Sequence, residues 1–375
     1  MKLLAINAGS AVSGAEKVLM DLLAYALHDG VTVTVASPRG DIVGRFPDGA
    51  AHLRIPHQIP NAAPGAGRVR RRFLTAMIPA TWLVTAARLI GPVRRADVVL
   101  VNTTFALPAV ALAARCSRRR VVWLVHDTLS DAKQKVAARI GATVVDTAVA
   151  VSDTTAEAIR PRYRHVVVRP NGVELPGPEF FAGKRRVLSR PGRRPVVGML
   201  AAITHWKAQD VVIRAIAHLR SEGMDVDAEL AGAVFPGSED YERELRELVT
   251  QLGVSDHVRF LGHTPREEAF SRWDVLVSAS RRPEAGPLGV LEALAHEVPV
   301  IATGIGGSVD YLREGRGVLV PPDDPAAVAE AIRALLTSPE AAERLAETGA
   351  RAVREEHDIS KTIPAMWGAI RGEEF

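Results

Sequence analysis

Residues 3–36 read LLAINAGSAVSGAEKVLMDLLAYALHDGVTVTVA, and the order of patterns in this stretch decides the fold class. A short apolar run at 3–7 gives way to apolar residues at helical spacing: Ala15, Val18, Leu19, Leu22, Leu23 and Ala26. A β-branched run follows at 32–36. Ser13 and Glu16 have the spacing of a capping box, and Gly30 supplies the helix stop. Strand, helix and strand in this order form a βαβ unit, which implies a parallel sheet with right-handed crossovers.

Working outward, further buried-strand runs at 97–102, 121–126 and 148–152 extend this first series. A second series starts after Pro195, with strands expected at 196–200, 228–231, 258–261, 275–279, 298–302 and 317–320. Helices are expected between them at 208–222, 239–252, 266–272, 288–297 and 307–313, and a helical stretch follows Pro325. The seam is PGPEFFAGKRRVLSRPGRR, residues 176–194, rich in Pro, Gly and Arg with little periodicity. The expected plan is a first Rossmann-like domain over 1–175, a linker over 176–194, a second Rossmann-like domain over 195–350 and a helical tail over 351–375. The length of 375 residues suits two domains, and 47% hydrophobic with 24% charged residues excludes wholesale disorder.

One cysteine, Cys116, excludes an internal disulfide and a multi-cysteine zinc cage. The start, MKLLAINAGS, is too short and too soon interrupted for a secretory apolar region. The uncharged apolar run 73–87 holds fifteen residues with Pro79 inside, against the ~20 a spanning helix needs, and no such run reaches eighteen. A cytoplasmic location is expected. Net charge is +4, yet residues 68–120 hold eleven arginines against Asp97 alone, so the rest of the chain is net −6. Arg68, Arg70, Arg71 and Arg72 lead into the apolar 73–87 with Trp82. Segment 68–95 therefore reads either as a peripheral helix on an anionic membrane surface or as a core or interface helix with solvated arginines. Nucleic acid is not an expected partner, since aromatics are 5% and no recognition module is present.

Residues 282–295, RPEAGPLGVLEALA, carry the chemistry. Glu284 sits in a Pro/Gly turn after a strand, and Glu292 lies about one turn into the next helix. Amides near Gly286, Pro287, Leu288 and Gly289 at that helix start make an anion site. Glu292 is embedded in Val290, Leu291, Ala293 and Leu294, unlike a solvated face, and suits neighbouring hydroxyls such as those of a ribose. Lys207 stands at a helix start beside Trp206, a place unfavourable to a cation unless an anion is bound. Gly14 opens a helix after a strand, and His126 ends one, at the sheet edge where α/β ligands bind. Asp225 and Asp227 imitate a metal-binding D-x-D but stand at a strand entrance, so no metal site is assigned to them.

The 282–295 segment resembles the E-x7-E signature of the retaining glycosyltransferases of family GT4, which have the GT-B fold. SGAEKVLMDLLAYAL (13–27), AVSDTTAEAI (150–159), VVVRPNGVE (166–174), VGMLAAITHWKAQDVVIRAI (197–216), VRFLGHTPREE (258–268) and ATGIGGSVDYLREGRGVLVPPDDPAAVAEAI (302–332) resemble the family's other blocks in their usual order. The resemblance implies two facing Rossmann-like domains, a cleft between them and a last helix returning to the first domain. It implies sugar transfer from a nucleotide-diphosphate donor to an acceptor hydroxyl, with no metal or other cofactor. It places Glu292 on the ribose, Lys207 with the amides of Leu288 and Gly289 on the diphosphate, and His263 and Thr264 beside the base. Glu284 and His126 fall to the transferred sugar, and Gly14 to the loop bordering donor and acceptor. One position departs: relatives carry Arg in a stretch like GRxxPWKG where this chain has Ala202. That departure keeps open a non-catalytic nucleotide-sugar-binding protein, and a non-hydrolysing nucleotide-sugar epimerase shares the two-domain plan.

Overall fold

The computed structural model describes residues 1–58, 78–115, 117–182 and 193–373, which divide into two compact units, 1–171 with 360–375 and 172–359. Cys116, the basic run 68–72 with 73–77, and most of the expected linker (183–192) lie outside the described residues.

The first unit is built on β1 (Lys2–Ile6), α1 (Gly14–His28), β2 (Thr32–Ser37), β3 (Ala51–Arg54), α2 (Ile78–Arg95), β4 (Val98–Val101), α3 (Leu107–Ala114), β5 (Arg120–Val125), α4 (Ala132–Gly141), β6 (Thr147–Ala150), α5 (Asp153–Ile159) and β7 (Val166–Val168). All its strands pair in parallel, in the order β3-β2-β1-β4-β5-β6-β7. Leu3–Ile6 of β1 and all of β4 are buried on both faces, as parallel sheets covered by helices require. Helix α1 starts where the sequence indicates, because the Glu16 carboxylate accepts the Ser13 backbone N–H at 3.1 Å. The order reverses between β1 and β4, so the carboxyl ends of these two strands flank the switch point.

The second unit has a short helix α6 (Pro178–Phe181), then β8 (Val196–Leu200), α7 (Gln209–Ser221), β9 (Asp227–Ala231), α8 (Glu239–Gln251), β10 (Val258–Gly262), α9 (Arg266–Arg272), β11 (Val275–Ser278), α10 (Leu288–Ala295), β12 (Val300–Thr303), α11 (Gly307–Leu312), β13 (Val318–Val320), α12 (Pro325–Thr337) and α13 (Pro339–Glu356). Its parallel sheet runs β10-β9-β8-β11-β12-β13 and switches between β8 and β11. One core, with Val212, Ile216 and Ile332, covers one face. The other, with Phe270, Trp273 and Leu291, covers the opposite face.

Two boundaries differ from the sequence-based expectation. The tail does not begin at 351: α13 continues to Glu356, because Val353 remains in the core of the second unit. The chain leaves that unit only at 359/360, within α14 (Ile359–Arg371). Nor is 176–194 simply a linker. The chain enters the second unit at 172, where Val173 donates its N–H to His357 O at 2.9 Å, and Arg193 and Arg194 engage Asp274, Asp225 and Asp227. From Ser360 onward, α14 packs on the first unit. Trp367 Nε1 donates to Asp29 at 3.0 Å, and Arg120 Nε caps the helix end at Ile370 O at 3.2 Å.

Gly198 lies in β8 directly under the Trp273 indole, and a Cβ there would overlap the ring. Gly198→Ala is expected to destabilise the second unit by about 1–3 kcal/mol through overpacking. Denaturant midpoints of the two proteins measure this.

Candidate functional site

In the second unit, the switch point brings together the loops after β8 and β11. A 3₁₀ turn, His205–Lys207, carries Lys207 to the carboxylate of Glu284, with Nζ–Oε2 at 2.5 Å and both side chains largely buried. Ser280 Oγ donates to the other Glu284 oxygen at 2.5 Å, so the carboxylate is held from both sides. The ammonium also lies 4.3 Å from the Trp206 ring centroid, a cation–π contact. A small cavity of about 50 Å³ opens between these groups, with Leu200, Ala201, Lys207, Glu284, Pro287, Leu288 and Gly289 in its wall. No side chain caps α10 at its start, and its first residues, Leu288 and Gly289, line the same wall. Lys207, Glu284, Pro287, Leu288 and Gly289 are thus neighbours, although up to 82 residues separate them in sequence.

The Glu284 loop is fixed by glycines. Gly306 has φ +63°, in the left-handed region, and a Cβ there would strike the Glu284 backbone. Gly307 donates its N–H to Glu284 O at 2.7 Å. Glu292, 7% exposed, is paired with Arg266 (Nη1–Oε1 2.5 Å). Arg266 opens α9 just after the exposed His263 and the half-buried Thr264, so it ties the loop after β10 to Glu292. Ala202 is exposed, and its carbonyl accepts from Gln209 Nε2 at 2.9 Å.

The sequence reading missed Arg266, Ser280 and the most engaged residue of the region, Arg281. Arg281 grips Asp210 with two bonds (Nη1–Oδ1 2.9 Å, Nη2–Oδ2 2.5 Å), donates to His205 O at 2.8 Å and pairs with Asp323. A serine and an arginine around a strand end are common, and no local spacing marks these. Burial pushes the Asp210 carboxyl up, but the hydrogen bonds from Arg281 and Tyr241 outweigh it and hold the group below the usual range. Asp225 and Asp227 are taken up by Arg194, Arg220 and His257. Among the described residues, no group of three or more His, Cys, Asp or Glu side chains is placed to hold a metal ion.

In the first unit, polar side chains gather at the carboxyl ends of β1, β4 and β5. Asn102 Nδ2 donates to Asn7 Oδ1 at 2.9 Å, both fully buried, and Thr103 Oγ1 accepts the Ala8 N–H at 2.8 Å. Gly14 is exposed at the start of α1. His126 follows β5, and its Nε2 is buried with no hydrogen-bond partner among the described residues. Burial lowers its pKa to about 4, so the ring is neutral near pH 7. Burial raises the neighbouring Asp127 carboxyl, which accepts from Thr104 and from Gln134 Nε2 at 2.9 Å.

Comparison with known proteins then gives the family. The sequence profile "Glycosyltransferase Family 4" matches residues 12–175, and "Glycosyl transferases group 1" matches residues 181–352. The chain belongs to glycosyltransferase family 4. Among relatives of this family, a D-inositol 3-phosphate glycosyltransferase of Corynebacterium urealyticum is 32% identical over 216 residues, 55% of this chain and 50% of the relative. The lipopolysaccharide core biosynthesis mannosyltransferase LpcC of Rhizobium leguminosarum is 27% identical, covering 61% of this chain and 66% of its own. The chain thus spans about half to two thirds of the length of these curated relatives. The fold of this family 4 chain is GT-B. Anabaena Alr3699/HepE, solved with UDP, superposes with TM-score 0.81 at 22% identity over 99% of this chain and 100% of that one. Sucrose-phosphate synthase of Thermosynechococcus elongatus gives 0.76 at 18% identity over 99% and 98%.

The neutral His126 has a stability consequence. An unfolded histidine titrates near 6.5, whereas this one titrates at about 4. Between those values the unfolded chain binds a proton that the native chain does not, so the native state loses stability as pH falls from about 6.5 to about 4. His126→Gln is expected to lessen that loss in the first unit. Urea midpoints of both proteins at pH 7 and pH 5 check this, and an equal decline in both would contradict it.

Proposed function

We propose that the chain transfers a sugar from a nucleotide-diphosphate donor to an acceptor hydroxyl, with retention at the anomeric carbon and without a metal ion. The observation that carries this reading is the single wall at the β8/β11 switch point, which presents the Lys207 ammonium, the uncapped start of α10 and the Glu284 carboxylate together. A cation and a helix start attract a diphosphate, while a carboxylate held from two sides is an acceptor for sugar hydroxyls. Family membership supports the reaction class, and the HepE structures with UDP and with UDP-glucose support a nucleotide-sugar as donor.

In this reading Lys207 and the amides of Leu288 and Gly289 neutralise the charge that builds on the departing diphosphate, which is the part a metal would otherwise play. Glu292, oriented by Arg266, takes the ribose hydroxyls, and His263 and Thr264 border the base. Glu284 takes the transferred sugar. Gly14 and the neutral His126 belong to the first unit's share of donor and acceptor. A neutral imidazole can accept or donate a hydrogen bond without adding charge beside an oxocarbenium-like centre. No covalent glycosyl-enzyme is invoked; the leaving diphosphate itself shields and assists one face.

Glu292→Ala is expected to weaken donor binding about tenfold, and Lys207→Ala to lower kcat by roughly 10² with a smaller change in KM. Both are read from initial rates across UDP-, GDP- and dTDP-sugars. Proton NMR of the product reports its anomeric configuration, and activity after chelation tests the absence of a metal. Wild-type rates for both variants at limiting donor would remove the site assignment.

The same reading includes contact with an anionic membrane through α2. No helix among the described residues is long and apolar enough to cross a membrane. Helix α2 nevertheless exposes Leu83 (62%) and Val84 (47%), with Arg88, Arg94 and Arg95 also exposed along it. Apolar side chains beside arginines fit the anionic cytoplasmic leaflet. Flotation with anionic vesicles is expected to carry the protein upward at low salt and lose it at high salt. Equal behaviour with neutral vesicles would count against the contact.

A further inference from the structure

Lys207 occupies a position that does not hold itself. It precedes α7, whose start repels a cation, and its stem is a flexible four-carbon chain. The next residue, Ala208, has φ +61°, a left-handed conformation costing a non-glycine residue roughly 1–2 kcal/mol. No side chain caps α7. Glu284 pairs with the ammonium, but the backbone of the turn needs a further contact from outside it.

Arg281 makes the contacts that do so. Its backbone N–H donates to Trp206 O at 2.8 Å, and its Nη1 donates to His205 O at 2.8 Å, so one residue captures the two consecutive carbonyls that precede Lys207. The same guanidinium grips Asp210, in the first turn of α7, through two bonds and reaches Asp323 in the turn before α12. Tyr241 OH supports Asp210 from α8 at 2.5 Å. The Arg281 side chain is only 19% exposed, and two carboxylates and a carbonyl take four of its five N–H donors. It is therefore not a stand-in for the arginine absent at Ala202, because a guanidinium neutralised by two carboxylates has little left for a phosphate.

We infer that Arg281 is a positioning residue: it clamps the 204–207 turn to the end of β11 and the start of α7, and thereby sets where the Lys207 ammonium meets a diphosphate. The clamp stands on the contacts above, and its consequence for a diphosphate rests on the donor reading proposed for this site.

The test uses Arg281→Gln in the full chain, with two readouts. In hydrogen–deuterium exchange without ligand, amides of 203–208 are expected to exchange about tenfold faster, with β8 and α8 unchanged. In calorimetry, UDP affinity is expected to fall ten- to thirtyfold while uridine affinity stays within twofold. The double variant Lys207→Ala with Arg281→Gln should bind UDP no more weakly than Lys207→Ala alone, because both substitutions act through one ammonium. Unchanged exchange at 203–208, equal loss of UDP and uridine, or multiplying effects of the two substitutions would overturn the inference. If the unmodified chain binds neither UDP nor another nucleoside diphosphate, the donor reading falls while the exchange result still decides the clamp. Should Arg281→Gln fail to fold, Asp210→Asn is read by the same exchange measurement, and normal protection of 203–208 in it overturns the inference.

Discussion

Two sheets made wholly of parallel strands, buried on both faces, impose the arrangement on which the rest of this protein depends. A strand covered by helices on both sides has no room for unpaired polar groups, so they are driven to the strand ends. The exception proves the cost: Glu229, 1% exposed inside β9, is kept there by Trp273 Nε1 at 2.7 Å and by Arg259 and Arg272. Elsewhere the two cores are mainly Val, Ile, Leu and Ala with a few larger side chains such as Met199 and Trp123, and the loops at the carboxyl ends carry most of the polar chemistry.

At those ends the two units solve different electrostatic problems. In the second unit the charges are opposed and close: Lys207 with Glu284, Arg266 with Glu292, Arg281 with Asp210 and Asp323. Each carboxylate there is held in one orientation by its cation, which preorganises the wall at the price of leaving Lys207 partly satisfied before any ligand arrives. In the first unit the groups include the neutral Asn7–Asn102 pair and the uncharged His126, while burial raises the Asp127 carboxyl above the usual carboxylate range.

Much of the fold was legible because its signals are local. Strand 3–7, helix 14–28 and strand 32–37 follow from apolar spacing and one capping box, and each lies within a few residues of where the pattern put it. The boundaries were not legible. Residues 351–356 look like the start of a tail by composition, yet Val353 is buried in the second core, and a helix ends where its packing ends. Likewise Arg193 and Arg194 look like linker residues until Asp274 and Asp227 are seen opposite them.

For the site, local pattern alone fixes which residue types stand at which strand ends: Glu284 and Glu292 with seven residues between them across a helix start, Lys207 before a helix, His126 after a strand. Turn chemistry and helical spacing suffice for that, since both are set within a few residues. The partners follow from how the chain folds back on itself. Arg266 meets Glu292 across 26 positions, Lys207 meets Glu284 across 77, and Arg281 meets Asp210 across 71. No local pattern encodes such pairs, because they exist only where crossover connections lay β10, β9, β8 and β11 in one sheet and bring the loops at its carboxyl edge within reach of one another.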